Sequence, residues 1–260
     1  MSFTHPYLSG VDGGSGPLAF AHRGGAAAGD ENTLEAFARA VSIGYRHLET
    51  DVHATSDGVV VVFHDRTTDR MLGRPGRIGD VSWADLITVR VNGAAAVPRL
   101  DELLTAFPDR FLNIDMKSAA SVAPTVDVVR RTGSAGRVLL ASFDDRRLAE
   151  ARRLAGPDVA TSLGERGAAA VWLASRAGRG GVRAAGRAVA AQMPLRAGPI
   201  TVTDRRFIDY AHRLGLAVHV WTVDDPADIR VLLDAGVDGI MTDHIDVLRD
   251  VYAERGLWPA

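Results

Sequence analysis

Cysteine is absent from this 260-residue chain, which excludes disulfides, thiolate metal sites and a cysteine nucleophile together. Any metal must be held by oxygen or imidazole. A basic excess is missing as well: the formal net charge is −2 and no long basic stripe is visible, so a general nucleic-acid binder is not expected. No apolar stretch approaches the roughly 20 residues that a membrane span requires. Between Met1 and Pro17 there is no basic segment followed by an apolar run, so no secretory signal is expected there. These absences leave a cytoplasmic protein with a small-molecule partner, no nucleic acid and no stable membrane insertion; they say nothing of its oligomeric state. Lysine is nearly missing too, because Lys117 is the only one in a chain that otherwise uses arginine.

What is present is a hydrophobic content of 47%, enough for a large core in one barrel or two small domains. Short β-branched or apolar runs alternate with segments of helical periodicity from beginning to end, the pattern of parallel strands joined by crossover helices. Eight such runs are expected to be strands: 18–21, 47–52, 111–116, 138–142, 159–163, 188–193, 217–222 and 239–242. Eight βα units in this length fit a closed (β/α)8 barrel better than an open doubly wound sheet. The expectation is one barrel domain spanning residues 1–260.

Asn32 followed by Glu35 reads as a capping-box start for the first helix, with Leu34, Phe37, Ala38 and Val41 on its apolar face. About 58 residues separate the second and third strands, more than one helix and two loops need, so an insertion of about 54–110 is expected. It should carry its own strand at 59–63 and a helix near 83–89, and project over the mouth of the barrel.

Polar residues at the C-terminal ends of barrel strands are the candidates for chemistry. His22 and Arg23 end the first strand, Glu49 and Asp51 the second, His64 and Asp65 the inserted one and Asp115 and Lys117 the third. Trp221 and Asp243 end the seventh and eighth. Glu49 and Asp51 stand two apart, so both point inward, and Asp115 adds a third acid from the adjacent strand. Converging carboxylates repel unless a proton or a cation intervenes, and an all-oxygen set suits one divalent ion, Mg2+ or Ca2+. Arg23 offers a guanidinium fork for phosphate oxygens and Lys117 a second positive charge. His22 and His64 are the expected proton-transfer pair, since imidazole titrates near neutrality. Structural places are expected for His5, His47, His53, His212, His219 and His244.

The ordered series His22-Arg23-Gly24-Gly25, Asp30-Glu31-Asn32-Thr33, Leu48-Glu49-Thr50-Asp51, Phe63-His64-Asp65, Asn113-Ile114-Asp115-Met116-Lys117, Ala141-Ser142-Phe143 and Val220-Trp221-Thr222 resembles the glycerophosphodiester phosphodiesterase family over nearly the whole chain. The resemblance implies a TIM barrel that hydrolyses glycerophosphodiesters to sn-glycerol 3-phosphate and an alcohol in lipid metabolism. It implies Glu49, Asp51 and Asp115 as metal ligands, His22 and His64 as acid and base, Arg23 and Lys117 as phosphate holders, and Phe143 and Trp221 as walls of the glycerol side. Two positions depart from the family pattern: Asp30 replaces a proline, and Asp115 replaces a glutamate. Two rival readings accompany it: a lysophospholipase D or cyclising enzyme on lipid head groups, and a silent phosphodiester-binding protein. An apolar rim would favour the lipid reading, and the Leu/Ile-poor insertion offers it little support.

Overall fold

A computed structural model of the chain describes residues 5–9 and 16–258. Eight parallel strands form its centre: β1 (Leu18–His22), β2 (His47–Ala54), β3 (Phe111–Met116), β4 (Val138–Ala141), β5 (Ala160–Thr161), β6 (Ala190–Pro194), β7 (Ala217–Trp221) and β8 (Gly239–Thr242). They run in the order β5-β4-β3-β2-β1-β8-β7-β6. The first strand pairs with the last, Leu18 opposite Gly239 through Ala21 opposite Thr242. The remaining seam is closed by a bridge between Ser162 and Ala190, where the Leu163 N–H donates to the Ala190 carbonyl at 2.9 Å. The expected (β/α)8 barrel is the observed one, with β5 shorter and β6 starting later than the apolar runs suggest.

One helix of 7 residues or more follows each strand: α1 (Leu34–Ser42), α2 (Leu100–Ala106), α3 (Ala119–Arg131), α4 (Asp145–Ala155), α5 (Glu165–Ala177), α6 (Arg205–Arg213), α7 (Pro226–Ala235) and α8 (Ile245–Glu254). The period of two along the strands divides their side chains between helices and lumen. Leu48 and Val52, Leu112, Ile114 and Met116, and Val218 and Val220 point outward into the main core beneath the helices. Phe20, Leu139, Ala160, Ala190, Ala217 and Met241 gather in a second cluster, which includes Tyr7 from the short helix Pro6–Ser9.

Along β2 and β3 the alternate residues grow more polar toward the C-terminal end, from His47 through Glu49 to Asp51 and from Phe111 through Asn113 to Asp115. All but Phe111 are buried, and Phe111 is partly so. The lower lumen is aromatic, with His47 stacked on Phe111 at 4.7 Å between ring centroids. Gly239 is required there, because a Cβ would lie 2.7 Å from the Phe20 ring and 2.9 Å from that of His219.

The helix start differs from the expectation. Thr33, not Asn32, caps α1, its hydroxyl accepting from the Ala36 N–H at 3.1 Å. Asn32 is held in the left-handed region at φ 60° because its side chain serves β2, donating to Asp51 Oδ2 at 3.1 Å and accepting from the Thr50 hydroxyl at 2.8 Å.

The insertion after β2 has a small core of its own, including Val61, Phe63, Met71, Ile78, Leu86 and Val97. Its strand Val60–Val62 folds back antiparallel on β2, and the helix expected near 83–89 is one turn, Trp83–Leu86.

Candidate active site

All nine candidate side chains line one cavity of about 570 Å³ at the C-terminal mouth: His22, Arg23, Glu49, Asp51, His64, Asp115, Lys117, Phe143 and Trp221. The barrel strands and the turns after them supply all except His64, the one described residue of the insertion on this wall.

Both imidazoles are anchored through Nδ1. His22 Nδ1 lies 2.6 Å from Asp243 Oδ1, and His64 Nδ1 lies 2.7 Å from Asp65 Oδ1. A carboxylate on Nδ1 fixes the ring and its tautomer, leaving Nε2 to exchange a proton with a ligand. Burial alone would lower the pKa of His22, yet the Glu49 charge, whose Oε2 is 3.6 Å from Nε2, and the Asp243 bond raise it.

The three acids share a net of cations. Lys117 Nζ sits 2.8 Å from Asp51 Oδ1 and 2.7 Å from Asp115 Oδ2. Arg23 Nε lies 3.1 Å from Asp51 Oδ2, and the Arg23 N–H donates to Glu49 Oε2 at 3.2 Å. Burial by itself raises the pKa of Asp51, but Lys117 and Arg23 hold it well below the usual carboxylate range. Glu49 goes the other way: burial first, then the Asp51 charge, push it well up. Asp115 is also raised by burial, partly offset by Lys117, and its Oδ1 is buried without a hydrogen-bond partner. Among the described residues no trio of His, Asp or Glu already stands as a ready-made ligand set. Even so, the donors are all oxygen, and Glu49 and Asp115 retain an unmet demand for positive charge, which fits a hard divalent ion.

A link that the sequence does not betray joins these parts. Arg70, in the insertion, holds Asp65 through Nε and Nη2 at 2.6 and 3.0 Å and Glu31 through Nη1 and Nη2 at 2.9 and 2.7 Å. Glu31 in turn accepts from Arg23 Nη1 at 3.1 Å. Arg23 is kept at φ 51°, and the turn beside it needs Gly24, whose φ is 83° and where a Cβ would sit 2.9 Å from the Phe37 nitrogen. Strain of this kind persists where surrounding contacts over-determine the backbone. Asp30, at the first departure from the family pattern, forms a two-pronged ion pair with Arg39 at 2.7 and 2.8 Å that ties the loop to α1.

Residues 22–247 match the glycerophosphoryl diester phosphodiesterase family. The chain belongs to that family. A Mycobacterium tuberculosis protein described as a probable glycerophosphodiester phosphodiesterase 2 is 40% identical over 248 residues, covering 94% of this chain and 93% of the relative. A crystal structure from Silicibacter pomeroyi, described as a putative glycerophosphoryl diester phosphodiesterase, superposes with a TM-score of 0.81 at 27% identity, covering 98% of this chain and 99% of the other. An Oleispira antarctica phosphodiesterase, solved with its product sn-glycerol-3-phosphate, shares the fold at a TM-score of 0.76 and 20% identity over 91% of this chain and 97% of that one.

For this family member five of the other six histidines have structural surroundings. His47 and His219 are buried in the barrel, His53 faces the His64 carbonyl at 3.2 Å, His212 on α6 lies 2.6 Å from Asp238, and His244 is exposed at the start of α8. The described residues contain no helix long and apolar enough to cross a membrane.

Proposed function

We propose that this phosphodiesterase hydrolyses glycerophosphodiesters to sn-glycerol 3-phosphate and an alcohol, with one Mg2+ or Ca2+ ion held by Glu49, Asp51 and Asp115. The observation that carries the reading is the convergence of two carboxylate-backed imidazoles, two cations and three buried acids on one cavity. Such an ion, when bound, supplies Lewis-acid polarisation of the phosphoryl oxygens. Arg23 and Lys117 counter the negative charge that grows on those oxygens in the transition state. One imidazole removes a proton at Nε2 from the attacking hydroxyl, and the other delivers one to the departing alkoxide. Lys117 is already shared between two of the proposed ligands, which gives the single lysine a second role. It bridges Asp51 and Asp115 and offsets part of their mutual repulsion.

The test is release of glycerol 3-phosphate from glycerophosphocholine, first with EDTA and then with excess Mg2+ or Ca2+. Turnover that chelation abolishes and one of the ions restores is the expected result. Turnover indifferent to EDTA removes the ion from the reading, and no turnover of any glycerophosphodiester with either ion removes the activity.

A further inference from the structure

The cavity is larger and more apolar than a glycerol phosphate requires. Its charged half is built by β1, β2, β3 and the insertion. The opposite half is a lobe walled by Leu163, Ala168, Trp172, Met193, Ile200 and Val202, with Phe143 and Trp221 between the two halves. These residues come from the turn after β5, from α5, from β6, and from the antiparallel hairpin in which Arg196–Ala197 pairs with Ile200–Thr201 and the residue after it. Trp172 presents carbon to the space, since its indole N–H is already donated to the Val202 carbonyl at 3.1 Å. Phe143 and Ile200 stand on the rim with more than half their surface exposed, at 52% and 54%. A surface of this kind offers few partners for glycerol hydroxyls, and a cavity of about 570 Å³ lies within the range that takes drug-sized ligands.

We propose that this lobe binds an aliphatic chain of several carbons carried on one arm of the phosphodiester. The proposal rests on the phosphodiesterase reading above and names its substrate class. The reaction is unchanged: water adds to phosphorus, one P–O ester bond breaks, and the leaving alkoxide takes a proton. The competing occupant is a quaternary ammonium, which aromatic walls also attract. Two of the three aromatic rings here already carry a resident cation. The Arg176 guanidinium lies 4.7 Å from the Trp172 ring centroid, and Lys117 Nζ lies 5.9 Å from that of Phe143. Glu165 is the lobe's single carboxylate, and it is exposed at the edge. A buried cation would meet like charges on both sides, whereas a hydrocarbon meets none.

The experiment compares kcat/KM for glycerophosphocholine, for 1-acyl-glycerophosphocholines of increasing chain length, and for glycerophosphoalkanols of the same lengths, all below their micelle concentrations. The two series separate a chain borne on glycerol from one borne on the leaving alcohol. In one of them kcat/KM rises by up to roughly three- to fourfold per methylene until the lobe is full. Ile200→Asp and Ala197→Asp, both on the exposed hairpin, lower the ratio of chain-bearing to chain-free kcat/KM by about tenfold or more. A flat length profile in both series, with glycerophosphocholine turned over, overturns the proposal and leaves the phosphodiesterase reading intact. So does a selective loss of choline diesters in Glu165→Gln. If no diester is turned over, the phosphodiesterase reading fails, and calorimetry with decyl and butyl phosphate still decides the lobe. Tighter decyl phosphate binding that Ile200→Asp weakens supports it, and equal affinities sink it.

Discussion

Replacing Arg70 by methionine keeps the apolar stem and removes a group that touches both the His64–Asp65 pair and the Glu31–Arg23 pair. Four charge-assisted hydrogen bonds of 2.6 to 3.0 Å are lost. The Arg70 side chain is 49% exposed, so solvent screening reduces what these bonds contribute to folding, and a loss of about 1–2 kcal/mol is expected. For a chain of this size that is a Tm drop of roughly 2–8 °C. The effect on catalysis is larger, because Asp65 is released to turn and His64 turns with it, while Glu31 pulls on Arg23 alone. A displacement of about 1 Å in a proton-transfer group costs on the order of a hundredfold in rate. The assay is steady-state hydrolysis of glycerophosphocholine well below the Tm, with thermal unfolding followed in parallel. We expect kcat to fall about 10- to 100-fold with a smaller change in KM. Arg70→Lys should regain part of the stability and little of the rate, because an ammonium cannot make two parallel forks. Near-normal kcat in Arg70→Met, with a stable fold, would refute the idea that the insertion positions His64 through this residue.

Two further outcomes follow from the same geometry. His22→Ala and His64→Ala should each lower kcat by at least about a hundredfold in that assay, and near-normal turnover in either variant takes that imidazole out of the proton transfer. His219 gives a pH signature in stability: burial lowers its pKa from 6.5 to about 4, so below pH 6.5 the unfolded chain binds a proton that the native state refuses. Its contribution is complete above pH 6.5 and is lost as the pH falls toward 4, by about 3 kcal/mol. Denaturant titrations across that window should show a shallower acid loss in His219→Gln; parallel curves for the two proteins would count against this account.

The barrel is legible in the sequence because its strands obey a strict alternation, and the charged half of the cavity because its residues sit where strands end. Glu49, Asp51 and Asp115 fall in one lumen since β2 and β3 pair in register, Asp51 directly opposite Asp115. The cap of α1 is misread from sequence for a physical reason. Asn32 and Thr33 are both good capping residues, and only the fold shows that β2 claims Asn32 and leaves the cap to Thr33. Arg70 carries no signal, since it is one arginine among many and its partner Glu31 lies 39 residues away. The apolar lobe is hidden in another way. The insertion is the natural place to expect an apolar wall, but its apolar residues are spent on its own core, and the wall comes from α5 and the hairpin after β6.

The seam between the first and last strands has a consequence for synthesis. His22 leaves the ribosome well before Asp243, which orients it from 221 residues downstream on the far side of that seam. A nascent chain therefore carries this imidazole unaligned until the strand that precedes Asp243 has been made. Hydrolytic competence therefore waits on the docking of the closing strand beside the opening one.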